Sequence, residues 1–182
     1  MSAVLATERC TLYEPARRRR LGCKGPHALA WLQQCGIAIP ALRNTWIAPA
    51  SHAAADDIVI RLGHSEFLLD VGSDDELAPW ARELSTPPRG VYPVLREDRG
   101  FTLEGAATHA VLAQACNVNF AAVDTRTQPA FMTLMIGVAV VVVPQGTGEQ
   151  RRYRFWCDPS FGDYLASSLQ DVIGREREPR GG

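Results

Sequence analysis

Leu21-Gly22-Cys23-Lys24-Gly25-Pro26-His27-Ala28-Leu29-Ala30-Trp31-Leu32-Gln33-Gln34-Cys35 is answered by Phe101-Thr102-Leu103-Glu104-Gly105-Ala106-Ala107-Thr108-His109-Ala110-Val111-Leu112-Ala113-Gln114-Ala115-Cys116. The offset is constant. Gly25 and Gly105, Leu32 and Leu112, and the apolar runs that begin at Ile58 and Val138 are each 80 positions apart. Self-similarity at a fixed spacing marks one structural unit used twice, so a duplication is expected.

Working outward from the first copy, an extended segment near Leu12-Tyr13 and a strand over 18–23 precede a helix opened by Gly25-Pro26. Proline is harmless at a first helical turn, where its missing N–H has no partner to lose. The helix is expected to bury Leu29, Leu32 and Trp31. A strand follows over 44–48. Strands over 58–62 and 66–71 then flank Gly63-His64, read as a two-residue hairpin connection. Ser73 is expected to cap a helix in which Leu77, Trp80, Ala81 and Leu84 recur at helical spacing.

Thr86-Pro87-Pro88-Arg89-Gly90 is a breaker cluster where the repeat requires a boundary. Beyond it, strands are expected over 91–96, 101–103, 131–135, 138–143 and 153–157, with a helix over 105–116. Val138 to Val143 is so rich in β-branched residues that it reads as a central strand buried on both faces. Asp158-Pro159 opens a last helix with Phe161, Leu165, Leu169 and Val172 on one stripe. The expectation is an α+β chain, a single duplicated domain over 1–182. Repeat one spans about 11–86, a linker 87–90, repeat two about 91–173, and a frayed tail 174–182. The two β-β-α-β-β-β-α units would be related by a pseudo-two-fold axis.

Composition narrows function by exclusion. Among 182 residues, 46% are hydrophobic and 21% charged, with a formal net charge of −1. Nucleic acid and anionic membranes both demand a positive field, so neither is expected as a partner. Arg17-Arg18-Arg19-Arg20 is the local exception, read as a solvated or interfacial strand with alternate arginines pointing outward. The longest apolar run, 131–143, is too short for a bilayer and contains Gly137. With no secretory pattern at the N-terminus, a cytoplasmic location is expected.

Five cysteines, Cys10, Cys23, Cys35, Cys116 and Cys157, include no C-x-x-C pair, which argues for buried thiols over disulfides or a zinc knuckle. His27, His52, His64 and His109 form no H-x-x-x-H pair and read as surface or satisfied positions. Asp56-Asp57 and Asp74-Asp75 read as turn and capping residues, because adjacent side chains diverge. Ser160 lacks the G-x-S-x-G elbow of an exposed nucleophile. No G-x-G-x-x-G or G-x-x-x-x-G-K-[ST] loop is present. The residues therefore single out no catalytic group and no metal ligand, and leave cofactor-binding residues unassigned. Trp31, Trp46, Trp80 and Trp156 are candidates for either the core or, with Arg17 to Arg20, an interface with a larger subunit.

Leu21-Gly22-Cys23-Lys24-Gly25-Pro26 with Ala30-Trp31-Leu32, Asn44-Thr45-Trp46, Arg61-Leu62-Gly63-His64-Ser65-Glu66-Phe67-Leu68-Leu69 and Ser160-Phe161-Gly162-Asp163-Tyr164-Leu165 form an ordered set. That set resembles the gamma subunit of heterotetrameric sarcosine oxidases and related N-methyl amino acid dehydrogenases. The family is in turn similar to the folate-binding fold of the glycine-cleavage T-protein. The resemblance implies a duplicated fold whose units exchange their first strands. The K-G-C-x-x-G-Q-E motif of one folate-binding relative is absent, and Pro159 precedes Ser160 where the family often has arginine.

What the resemblance implies is a non-catalytic gamma subunit that packs on the alpha subunit of an oxidoreductase demethylating sarcosine or a related N-methyl amino acid. Beta and delta subunits would complete the heterotetramer. FAD, FMN, NAD, tetrahydrofolate and zinc would all sit on partner subunits, and none on this chain. The alternative is an independent folate-binding protein or aminomethyltransferase of the T-protein type. A tRNA-modification partner is a third reading, disfavoured by the near-neutral charge.

Overall fold

The computed structural model describes residues 10–15, 18–49, 56–72 and 74–177. In chain order its strands and helices begin with β1 (Thr11–Tyr13), β2 (Arg19–Lys24), α1 (Ala28–Gln34), β3 (Thr45–Ile47), β4 (Ile58–Leu62), β5 (Glu66–Val71) and α2 (Asp74–Leu84). They continue with β6 (Tyr92–Val94), β7 (Arg99–Glu104), α3 (Thr108–Ala115), β8 (Phe131–Met135), β9 (Val138–Gln145), β10 (Arg152–Cys157) and α4 (Gly162–Arg177). All ladders between these strands are antiparallel, and they make a mixed α+β protein with two five-stranded sheets. Among the described residues no helix is long and apolar enough to cross a membrane.

The chain forms two compact units. One takes in the described residues of Pro15–Glu97 and Arg126–Ala130. Its sheet runs β3-β4-β5-β2-β6. Phe67, Leu69 and Val71 alternate onto one face of β5, where they pack with Cys23, Val59, Trp31, Leu32, Leu77 and Leu84. That is the period-2 pattern of a strand meeting the apolar stripes of two helices. The other face of the same strands carries Ile58, Ile60, Leu68 and Asp70, all buried.

The second unit takes in the described residues of Met1–Glu14, Asp98–Thr125 and Phe131–Gly182. Its sheet runs β1-β7-β10-β9-β8. Phe101, Leu103, Tyr153 and Phe155 face Leu112, Leu165 and Leu169 in its core. The rings of Phe101 and Phe155 stack with centroids 5.6 Å apart. The N-terminal strand β1 thus completes the sheet of the C-terminal half, pairing Leu12 with Leu103. Conversely β6, after the breaker cluster, joins the N-terminal sheet by pairing Gly22 with Val94.

Several local expectations are corrected. The β4–β5 hairpin turns through three residues, Gly63, His64 and Ser65, because Leu62 pairs with Glu66. Pro26 lies in the turn before α1, which starts at Ala28. β9 is second from the sheet edge, and Ala139 is exposed and Val141 half-buried, so it is not a central strand buried on both faces. In that sheet the strand buried at five consecutive positions is β10, which lies between β7 and β9; β5 is its counterpart in the other sheet. Pro159–Phe161 form a single 3-10 turn ahead of α4, leaving Phe161 52% exposed and off the stripe of Leu165, Leu169 and Val172. Helix α4 extends to Arg177, past Gly174, where the tail was expected to fray. Ala81 is exposed, and α2 holds an internal Pro79 that the periodicity did not flag. The expected cap at Ser73 lies outside the described residues, as do Arg17 and His52.

Candidate functional site

The arginine strand is organised around a buried carboxylate. In β2, Arg20 lies opposite Asp70 of β5, and its Nε donates to Asp70 Oδ2 at 2.7 Å. Arg18 donates from Nε to Asp70 Oδ1 and from Nη2 to Asp57 Oδ1, the latter at 2.7 Å. Both carboxylates are enclosed: Asp70 is 0% and Asp57 1% exposed. Burial alone would lower the Arg18 pKa, but Asp70 and Asp57 outweigh it and raise it. Arg18 and Arg20 are therefore not solvated, contrary to the outward-pointing expectation. An aspartate in an apolar strand needs a cation and hydrogen bonds to stay charged. Asp57 also accepts from the Gly72 N–H at 2.9 Å, so it does more than turn the chain. The side chains of Asp74 and Asp75 lie outside the described residues.

Beside this network lies a cleft of about 680 Å³ between β2 and α2. Arg18, Arg19, Arg20 and Arg96 form its basic side, and Leu77 and Leu95 its apolar side. Arg96 pairs with Glu66 at 2.5 Å.

A second polar group gathers on α3. His109 Nε2 lies 2.7 Å from the Tyr153 hydroxyl, and Arg151 Nη1 lies 3.0 Å from both ring nitrogens. Equal distance to the two nitrogens puts the guanidinium nitrogen over the ring face, since in the ring plane it would collide with Cε1. Burial, then the Arg151 charge, lower the His109 pKa. Burial raises the Tyr153 pKa, with Arg151 opposing. His109 is accordingly a neutral imidazole at pH 7. A pocket of about 310 Å³ adjoins it, walled by α3 and the following loop.

The other sequence candidates scatter. His27 precedes α1, its Nδ1 2.8 Å from the Arg89 carbonyl, and His64 sits exposed in the hairpin. Burial pushes the Cys23 thiol up to about 12 and those of Cys35 and Cys157 up to about 11, with Glu83 adding to the effect at Cys35. Such thiols are poor nucleophiles. The Ser160 N–H donates to the Asp158 carboxylate at 2.9 Å in a capping contact. Trp31 and Trp156 are core residues, 7% and 3% exposed, while Trp46 and Trp80 are half-buried. Among the described residues no three His, Cys, Asp or Glu side chains group as metal ligands.

Sequence reasoning passed over Asp70, Arg151 and Tyr153. Asp70 carried a signal, as the one charge within Phe67-Leu68-Leu69-Asp70-Val71. Arg151 and Tyr153 carried none, since only the tertiary fold brings them to a histidine more than forty residues away.

No family model and no curated protein sequence matches this chain. Solved structures do. A chain of the heterotetrameric sarcosine oxidase from Corynebacterium sp. U-96, solved in complex with pyrrole 2-carboxylate, superimposes with a TM-score of 0.74 at 24% identity, over 97% of this chain and 90% of that one. The glycine cleavage system aminomethyltransferase T from Bartonella henselae superimposes with a TM-score of 0.66 at 17% identity, over 88% of this chain and 45% of that one. The two five-stranded sheets and their helices thus form a fold shared with a sarcosine oxidase chain and with the T-protein, as the sequence resemblance led us to expect.

Proposed function

We propose that this chain is a non-catalytic gamma-type subunit of a cytoplasmic, heterotetrameric oxidoreductase that oxidatively demethylates sarcosine or a related N-methyl amino acid. It packs chiefly on an alpha subunit, with beta and delta subunits completing the assembly. FAD, FMN, NAD, tetrahydrofolate and zinc belong to those partners. The observation that carries this reading is the match to a sarcosine oxidase chain over almost the full length of both chains. Coverage of 97% of this chain and 90% of that one favours a counterpart of the whole subunit over a shared domain.

Two further observations support it. The sequence lacks the glycine fingerprint that holds a dinucleotide. The edge strand β8 presents Met132 and Leu134 to solvent, 61% and 56% exposed, with no charged residue in the strand. Proteins that stay alone usually protect such an edge with charge or proline. We further propose that one ββαβββα unit was duplicated, with repeats over about 11–86 and 91–173 joined by 87–90. Matching strand orders support this, as do Gly25 and Gly105 with φ of 127° and 116°.

The competing reading, an independent T-protein-type folate binder, draws on the aminomethyltransferase match, although this chain spans only 45% of that protein. Affinity purification of the tagged chain from native extract separates the two. Co-elution of a flavin-bearing larger subunit, with sarcosine-dependent electron transfer in the eluate and none in the isolated chain, is the expected result. A stable 19.9 kDa monomer that binds tetrahydrofolate and retains no partner would overturn it.

A further inference from the structure

The β8–β9 hairpin carries no charged residue from Phe131 to Gln145. Phe131, Met135, Val138, Val140 and Val142 pack inward on the core of the second unit. The alternate positions point the other way, and the register sets them side by side: Met132 lies opposite Val141, and Leu134 opposite Ala139. Residues paired directly across antiparallel strands share a face. Met132 and Leu134 are 61% and 56% exposed, Ala139 is exposed and Val141 half-buried. We infer that this outward face is where the chain docks on the larger subunit proposed above, and that the surface it meets there is apolar and uncharged. The inference rests on that subunit reading and adds to it the surface used and the chemistry of what covers it.

The pattern along the strands carries the argument. An antiparallel sheet with one face in water alternates apolar residues inward with polar residues outward. Here the outward positions are Met132, Leu134, Ala139 and Val141, so both faces of the hairpin are apolar. One exposed leucine needs no explanation, whereas adjoining apolar side chains on an uncharged hairpin mark an interaction surface. Complementarity then decides the partner. These four side chains offer no donor, acceptor or charge, and a charged group buried against them would lose its water and gain nothing in return. Aliphatic or aromatic side chains lose nothing of the kind, and removing both apolar surfaces from water drives the contact.

Docking is by side chains on the face rather than by adding a strand at the edge. Cys116 bridges Met135, and the Ile136 N–H donates to the Ala115 carbonyl at 2.8 Å, so the end of β8 is already paired. A stable interface buries about 800 Å² on each partner, more than four side chains supply. Met132, Leu134, Ala139 and Val141 are therefore the apolar centre of a wider contact with a polar rim.

The test compares variants of the tagged full chain by the flavin-bearing subunit each retains on purification from native extract, read as flavin absorbance per mole of chain. Leu134→Lys puts a charge at the centre of the face and should lower retention about tenfold or more. Its unfolding midpoint should stay near that of the wild type, since Leu134 is exposed. Leu134→Thr, which suits a strand and removes apolar area, should fall between, and it decides the matter if Leu134→Lys does not fold. Leu42→Lys, at a 68% exposed position in the other unit, should retain the subunit as the wild type does. Wild-type retention by Leu134→Lys, or equal loss in Leu42→Lys, would overturn this face and leave the subunit reading standing. A wild-type chain that retains no flavin-bearing subunit would overturn that reading, and with it the partner inferred here. A wild-type dimer that Leu134→Lys turns into a monomer would assign the face to a second copy and overturn the larger subunit as its occupant.

Discussion

Arg20 donates from Nε to Oδ2 of Asp70 over 2.7 Å, and this wholly enclosed carboxylate receives Arg18 on its other oxygen. Both guanidiniums are themselves only 10–11% exposed. Asp70→Ala would leave two half-desolvated cations facing a cavity. Breaking a buried pair from one side costs about 3–5 kcal/mol, and chemical denaturation of Asp70→Ala should show a loss in that range. A loss below about 1 kcal/mol would mean that water screens the pair as it does at a surface.

Gly25 ends β2 with φ of 127°, and a Cβ there would strike the Gly90 carbonyl oxygen and the Tyr92 ring. Both the left-handed backbone and the close approach exclude a side chain. Gly25→Ala should lower stability by about 1–3 kcal/mol, while Gly36→Ala, at a φ of 77° and with open space around it, should cost less. Equal denaturation midpoints for the two variants would mean that the chain relieves the clash at Gly25 by a local shift.

Native His109 titrates below the free-imidazole value of 6.5 because burial and Arg151 both oppose its charge. On acidification the unfolded chain takes up this proton first, so folding stability should fall as pH drops below about 6.5 and level off under the native pKa. Arg151→Met removes part of the opposition and should raise the His109 pKa, read by NMR titration. An unchanged pKa would mean that burial alone sets it.

Leu169 of α4 is fully buried in the second unit's core. Leu169→Ala should cost about 2–5 kcal/mol, scaling with the cavity left behind, measured by thermal or denaturant unfolding. Phe161→Ala, on the exposed 3-10 turn, should cost far less.

Cys23 and Cys157 are buried, and their thiols, with that of Cys35, are held up to about 11–12. At pH 8 these three should react with a disulfide reagent only slowly until denaturant is added. Rapid labelling of Cys35, the half-buried one, would show that its contact with Glu83 at 3.1 Å does not protect it.

The linear sequence determined the order and kind of elements. Apolar runs flanking Gly63-His64 placed β4 and β5, the 80-residue repeat placed α3, helical spacing placed α2 and the buried stripe of α4, and Gly25 and Gly105 marked where strand turns to helix. These signals are local, because period and turn chemistry act between residues a few positions apart. The spacing of the two glycine-helix segments also pointed to a repeated unit, since homologous positions keep their offset.

What only the tertiary structure decided involves residues far apart in the chain. Which strands lie at sheet edges, and hence that β10 is buried while β9 is partly open, depends on ladder pairing that no local pattern encodes. Arg18 and Arg20 read as solvated until the register set them against Asp70. His109, Arg151 and Tyr153 meet because α3 lies over the strand that holds Tyr153, and each alone looked ordinary. Burying a charge or a hydroxyl is tolerable only when such distant partners arrive together, so its chemistry becomes legible only once the chain has folded.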